Sequence, residues 1–283
     1  MTAKELIFAL ERAADANRAD RWRKGTVVNL AGPGDVVMTG DLHGNERNYE
    51  KLLQYADLEH HPYRHLILHE LIHGDTTKTP GQCHSYVLVG KAAELKGRFP
   101  DRVHYLLGNH AMAQVTNDEV LKGGQAMIRA LNAGLEAAFR DNAKLVGQAL
   151  DQFFLSLPIA VRTDNRIWMS HTLPSWDHIE SFDPGIFEKK LTLGDMYSNS
   201  SLRSLTWDRK HNEEGLKTLS QMWGVDLFIV GHKPQPSGWG RPFEQLMILA
   251  SEHSHGCFLH FELTREYEAD ELFNLITPIA GIG

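Results

Sequence analysis

Val36-Val37-Met38-Thr39-Gly40-Asp41-Leu42-His43-Gly44-Asn45 decides the reading of this chain. Its first four residues are apolar or β-branched and stop at a glycine, the pattern of a short buried strand at 36–39. The turn that follows carries a carboxylate, an imidazole and an amide. The arrangement returns along the chain. His73-Gly74-Asp75 follows an apolar run at 65–71, and Gly108-Asn109-His110 follows one at 103–107. His171 follows 166–170, and Gly231-His232 follows 227–230. Five strands thus deliver Asp, His or Asn at their carboxyl ends, often beside a glycine that lets the backbone turn. In open α/β sheets that edge is where ligands bind.

Working outward, further strands are expected at 159–162, 246–250 and 258–262, with a tight hairpin at 163–165. Helical periodicity marks 46–55, 85–96, 117–140, 143–154 and 213–223. The N-terminal segment reads as an amphipathic helix with Leu6, Ala9, Leu10 and Ala13 on one face. Strands alternating with helices give an α/β protein. The stretch 111–157 interrupts the strand rhythm and reads as an almost wholly helical insertion beside the site. With no repeat, low-complexity tract or linker, residues 1–283 are expected to form a single domain.

Composition narrows the function. At 42% hydrophobic and 23% charged residues, a sizeable buried core is expected. The net charge is −7 with no Lys/Arg block, which argues against nucleic-acid duplexes and anionic membranes as partners. No apolar run approaches bilayer length and the N-terminus lacks a secretory pattern, so a cytoplasmic protein is expected. The two cysteines, Cys83 and Cys257, are too few for a disulfide framework or a zinc–thiolate site. Histidine is the unusual count, at 16, and it is the commonest metal-ligating side chain.

Each turn alone has a plain reading. Asp-x-His-Gly occurs in ordinary loops, Gly-Asn-His also starts helices, and Gly231-His232 also ends a strand. Their order is the signal. Asp41 and Asp75, brought together and partly buried, would need compensating cations. Carboxylate and imidazole without thiolate suit Mn, Fe, Zn or Co. Two such ions sharing a carboxylate polarise a phosphoryl oxygen and activate water near neutral pH.

From about Asp35 to Leu263 the chain resembles the calcineurin-like metallophosphoesterases, and within them the phosphoprotein phosphatase branch. Gly40-Asp41-Leu42-His43-Gly44, Gly74-Asp75, Gly108-Asn109-His110 and Val230-Gly231-His232-Lys233-Pro234 carry the likeness. The 153–160 segment before Ser170-His171, and Leu205-Thr206-Trp207-Asp208-Arg209, add to it. The resemblance implies a β-sandwich of mixed sheets flanked by helices, with a helical insertion after the third motif. It implies that Asp41 and His43 bind one metal, that Asp75 bridges, and that Asn109, His171 and His232 bind the second. His110 would be the general acid and Arg209 the phosphate clamp. Pro234, where diesterase branches carry a further histidine, leans toward monoesters.

The chain departs from the family in its second and third motifs. Lys78 stands where an Asp would orient the catalytic histidine, Thr79 where an Arg would bind phosphate, and Ala111 where Glu follows Gly-Asn-His. Lys78 either supplies the missing cation or points to solvent. His69, His73, His84, His253 and His255 are candidates to support ligands through their second ring nitrogen, or to be packed or surface histidines. The expected activity is a phosphomonoesterase of the protein Ser/Thr phosphatase type, using two divalent ions, with Mn first among Mn, Fe, Zn and Co. A phosphorylated protein or small phosphoester would be the substrate. A diadenosine polyphosphate hydrolase and a catalytically weak phosphate-binding metalloprotein remain as alternatives.

Overall fold

The computed structural model describes residues 1–74 and 76–283. Two mixed sheets face each other. One runs in the order 276–278, 257–262, 35–41, 64–69, 103–105. The other runs 23–24, 27–30, 160–163, 167–170, 227–230, 246–249, 239–243. Asp35–Asp41, Arg64–His69 and Val103–Tyr105 are mutually parallel, as are Ile167–Ser170, Leu227–Val230 and Leu246–Leu249. An isolated parallel bridge from Asp41 to Ala250 ties the two parallel groups together at their carboxyl ends. This is the sandwich of mixed sheets flanked by helices that the motif order implied.

The central parallel strands are largely apolar because both faces are covered. Val36, Met38, Ile67, Ile167, Met169, Ile229, Met247 and Leu249 pack into one core cluster. Their neighbours in sequence, Val37, Leu66, Leu68, Trp168, Phe228 and Ile248, belong to the second cluster, which includes helical residues such as Leu6, Leu10, Leu88 and Trp223. The period-two alternation is therefore between two apolar environments, which hides it in the sequence. The N-terminal helix Ala3–Ala19 is capped by a Thr2–Glu5 capping box and buries Leu6, Ala9, Leu10 and Ala13, as expected.

The insertion differs from its reading. A continuous helix over 117–140 does not form: Asn109–Thr116 is helical, a hairpin of Leu121–Lys122 and Gln125–Ala126 follows, and the next helix is Met127–Phe139. The reason is Gly123-Gly124, both at positive φ (57° and 79°), the two-residue turn that matches hairpin twist. Short strands at 27–30, 239–243 and 276–278 were also not anticipated. They are too short or too polar to show a period. Among the described residues no helix is long and apolar enough to cross a membrane.

A polar cluster lies away from the strand ends. Lys96 Nζ is 2.9 Å from Asp20 Oδ2, His104 Nδ1 is 3.1 Å from the same oxygen, and His65 Nδ1 is 3.2 Å from His104 Nε2. Burial pushes the His65 imidazole down to about 3, and the neighbouring His104 adds to that. Held neutral in the fold, His65 gains a proton below about pH 6.5 only when the chain unfolds. Its share of stability is whole above that pH and is lost as the pH falls toward 3. The urea midpoint is therefore expected to drop between pH 7 and pH 5, and to drop less in His65→Gln; a midpoint that rose on acidification would contradict this.

Candidate metal centre

The carboxyl ends of the parallel strands in both sheets meet at one place. Asp41 ends its strand, Asn109 opens the helix just past Val103–Tyr105, His171 directly follows Ile167–Ser170, and His232 lies two residues past Leu227–Val230. All four are buried. Their side chains converge from positions up to 191 residues apart in the chain. His43 and His232 hold positive φ (41° and 66°), uncommon for residues other than glycine and typical of functional sites.

Asn109 Oδ1, His171 Nε2 and His232 Nδ1 form a triangle with edges of 2.8, 3.1 and 3.1 Å. Three donors at right angles around an ion with bonds of about 2.1 Å would stand about 3.0 Å apart. Among the described residues no three His, Cys, Asp or Glu side chains surround one point; here the third corner is the Asn109 amide. His43 Nδ1 lies 2.8 Å from the Ile72 carbonyl, so its proton sits there and Nε2, 3.7 Å from Asp41 Oδ2, is free to bind. His232 Nε2 lies 3.1 Å from the Trp207 carbonyl and 2.8 Å from Arg209 Nε. Protonated at Nε2, His232 donates to Trp207 and leaves Nδ1 for the triangle, but gives up the bond from Arg209 Nε, which needs Nε2 as its acceptor.

Electrostatics also calls for cations. Burial, then the charge of Glu252, pushes the Asp41 carboxyl up to about 7. Burial drives the His43 and His171 imidazoles well below their ordinary range. Asp41 Oδ1, Glu70 Oε1, His171 Nδ1 and both ring nitrogens of His69 are buried without a hydrogen-bond partner among the described residues. Unpaired buried groups of this kind are uncommon in folded proteins. Divalent ions fit this set of nitrogen and oxygen donors.

Gly108 and Gly231 serve space more than turning. A Cβ on Gly108 would stand 2.1 Å from Glu70 Oε2, and one on Gly231 would stand 2.4 Å from Asp41 Oδ1. Neither glycine has positive φ. They are small so that carboxylates lie against the backbone.

His110 lies beside His43, with ring centroids 4.8 Å apart. Its Nδ1 is 2.8 Å from His73 Nδ1, and His73 Nε2 is 3.3 Å from Gln114 Oε1. His73 is thus the side chain packed against His110. Asp41, His43, His110, Lys122, Arg209 and His232 line a cavity of about 260 Å³. Larger hollows lie elsewhere, one of about 370 Å³ near Leu227 and Gln245, at the opposite ends of the same strands.

One sequence expectation changes. Lys78 is exposed and does not line this cavity; the cation that reaches it from the insertion is Lys122, on the 121–126 hairpin. Burial lowers the Lys122 ammonium, opposed by the carboxylates of Glu252, Asp41 and Glu70. Asp75, expected to bridge, lies outside the described residues. Ala111 is fully buried in its helix. Of the five histidines offered as supports, His73 contacts His110, His69 faces the site region beside Gly231, and His253 bonds the Gln235 carbonyl. Glu70, Lys122 and Gln114 were not anticipated. For Lys122 the Gly-Gly turn after it was the available signal.

A description of the calcineurin-like phosphoesterase family matches residues 35–253. No curated protein matches the chain in sequence. Among solved structures, a protein serine/threonine phosphatase from Saccharomyces cerevisiae, described as similar to human phosphatase PP5, superposes with TM-score 0.74 and 14% identity. The match covers 99% of this chain and 94% of that one. A cold-active protein-tyrosine phosphatase from a psychrophilic Shewanella species matches at TM-score 0.55 and 17% identity, over 82% and 76% of the two chains. At these identities the likeness is one of fold.

Gly108→Ala tests the packing at this centre directly. The added methyl has to displace the Glu70 carboxylate, and overpacking of this kind costs about 1–3 kcal/mol. A lowered urea midpoint at unchanged m-value is expected; wild-type stability would show that the strand ends are looser than described.

Proposed function

We propose that this chain, which belongs to the calcineurin-like phosphoesterase family and is a metal-dependent phosphoester hydrolase, acts on phosphomonoesters with two divalent ions. The carrying observation is the cavity itself. It is lined by Asp41, His43 and His232 and by the three cations Lys122, Arg209 and Lys233, which outnumber its two carboxylates, Asp41 and Glu252. A compact dianion such as a terminal phosphate matches that charge and size. Mn is the favoured metal, with Fe, Zn or Co compatible with the same donors. Asp41 and His43 are placed to hold one ion, and Asn109, His171 and His232 the other.

Bound divalent ions supply Lewis-acid stabilisation and make water nucleophilic near neutral pH. The protein's own groups do the rest. His110 is placed to give a proton to the leaving-group oxygen. Its Nδ1–H donates to His73 Nδ1, and His73 donates through Nε2 to Gln114 Oε1, which orients His110 without a carboxylate. A neutral acceptor stabilises an imidazolium less than an Asp does, so the basic limb of the pH–rate profile, where His110 loses its proton, falls at lower pH than it would with an Asp acceptor. Arg209 and Lys122 face the phosphate oxygens, Arg209 through its planar fork and Lys122 as a point charge.

Phosphate release from p-nitrophenyl phosphate should require Mn and stop with chelator or Asp41→Asn. His110→Asn should lower kcat by about 10²–10⁴-fold. Greater activity on bis-p-nitrophenyl phosphate or a diadenosine polyphosphate would overturn the monoester reading. Metal and phosphate binding without turnover on any substrate would leave a binding protein instead.

The two lysines separate cleanly. Lys122→Ala removes a charge-assisted contact to the substrate, and KM should rise about tenfold. Lys78→Ala should leave kcat and KM unchanged. The reverse pattern would return the cation role to Lys78.

A further inference from the structure

We propose that Glu70 is a metal ligand of this centre, the carboxylate standing between its two halves. The inference rests on the two-ion reading above and adds to it a residue of this chain. Asp35–Asp41, Arg64–His69 and Val103–Tyr105 are neighbours in one sheet, in that order. Asp41 pairs with His69 in register, so Glu70 is the first residue past the end of the middle strand. Its backbone carbonyl accepts from the Leu42 and His43 amides at 3.0 and 2.8 Å, which ties it to the turn carrying the first pair of ligands. On the other side, its Oε2 accepts from the His110 amide at 3.0 Å, beside Asn109. The point above Gly108 that lies 2.1 Å from Glu70 Oε2 also lies 3.0 Å from His171 Cε1. Glu70 thus reaches the second set of ligands as well as the first.

The carboxyl group is fully buried and half satisfied. Glu70 is 0% exposed, and Oε1 has no hydrogen-bond partner among the described residues. The same holds for Asp41 Oδ1, whose charge acts on Glu70. Protonation would remove the charge but leave a buried O–H with no acceptor among those residues. A divalent ion at Oε1 meets both needs at once. Ordinary packing does not explain the position: Gly108 is kept bare so that this carboxylate fits.

Chelator-stripped protein titrated with Mn²⁺, and followed by the EPR signal of the free ion, tests the assignment without reference to turnover. Wild type should take up two ions and show an exchange-coupled pair. Glu70→Gln, nearly identical in shape, should lose the coupled signal and hold the second ion at least tenfold more weakly. Glu70→Asp keeps the charge at shorter reach and should also bind at least tenfold more weakly than wild type, which preserves the test if the Gln variant fails to fold. Equal affinity and an intact coupled signal in Glu70→Gln, or equal affinity in Glu70→Asp should Gln not fold, would overturn the assignment and leave the metal centre standing. Loss of the coupled signal in Asp75→Asn but not in Glu70→Gln would give the role to Asp75. Wild type that takes up no Mn²⁺ would instead remove the metal centre itself.

Discussion

Burying a carboxylate oxygen without a partner is among the costlier things a fold does, and this fold does it twice at one point. Asp41 and Glu70 lie at adjacent strand ends, each with one oxygen that has no hydrogen-bond partner among the described residues. Around them His43, His171 and His232 are pressed into their neutral forms by burial. Nothing in an apolar core rewards that arrangement. It becomes favourable only when cations arrive, so the metal-free chain carries a local penalty that binding relieves. The two apolar clusters of the sandwich are what hold the donors in place against it.

Architecture explains how the donors meet. A parallel strand aims its carboxyl end the same way as its neighbours, and both sheets contain three such strands. The Asp41–Ala250 bridge brings the two groups together. Residues far apart in sequence then need only a turn of the right length to converge. The glycines complete the fit by yielding volume. Had they served chiefly as turn formers, positive φ would be found at Gly108 and Gly231, and it is not.

Much of this was legible beforehand, for a physical reason. Asp41, His43, Asn109, His110, His171 and His232 each follow an apolar run, and a polar ligand at a strand end breaks the pattern visibly. Glu70 does the same but without a glycine beside it, while Gly74-Asp75 a few residues on carries the more conspicuous pattern. Strand ends are the least certain boundary in a sequence, and reading 65–71 as strand placed Glu70 inside it; the strand stops at His69. The hairpin at 121–126 was hidden differently. Its strands of two residues have no period, and they sit between segments that are helical. His73 was legible as a support near the site, but its partner was not. Contact with His110 depends on a backbone turn at φ 60° that no pattern announces.

The departures in the second motif now have a common physical account. Losing an Asp and an Arg from one loop removes an acceptor for His110 and a cation for phosphate. Both functions are available from other elements: the acceptor from His73 on the same loop, backed by Gln114 on the following helix, and the cation from Lys122 on the insertion hairpin. The replacements are not equivalent. A neutral imidazole holds a proton donor less firmly than a carboxylate, and an ammonium on a hairpin tip lacks the fork of a guanidinium. The hairpin also projects Leu121, 73% exposed, beside the cavity mouth. An apolar side chain at that rim gives the substrate something to touch beyond its phosphate. On the proposed reading, selectivity is set by the insertion and the chemistry by the strand ends.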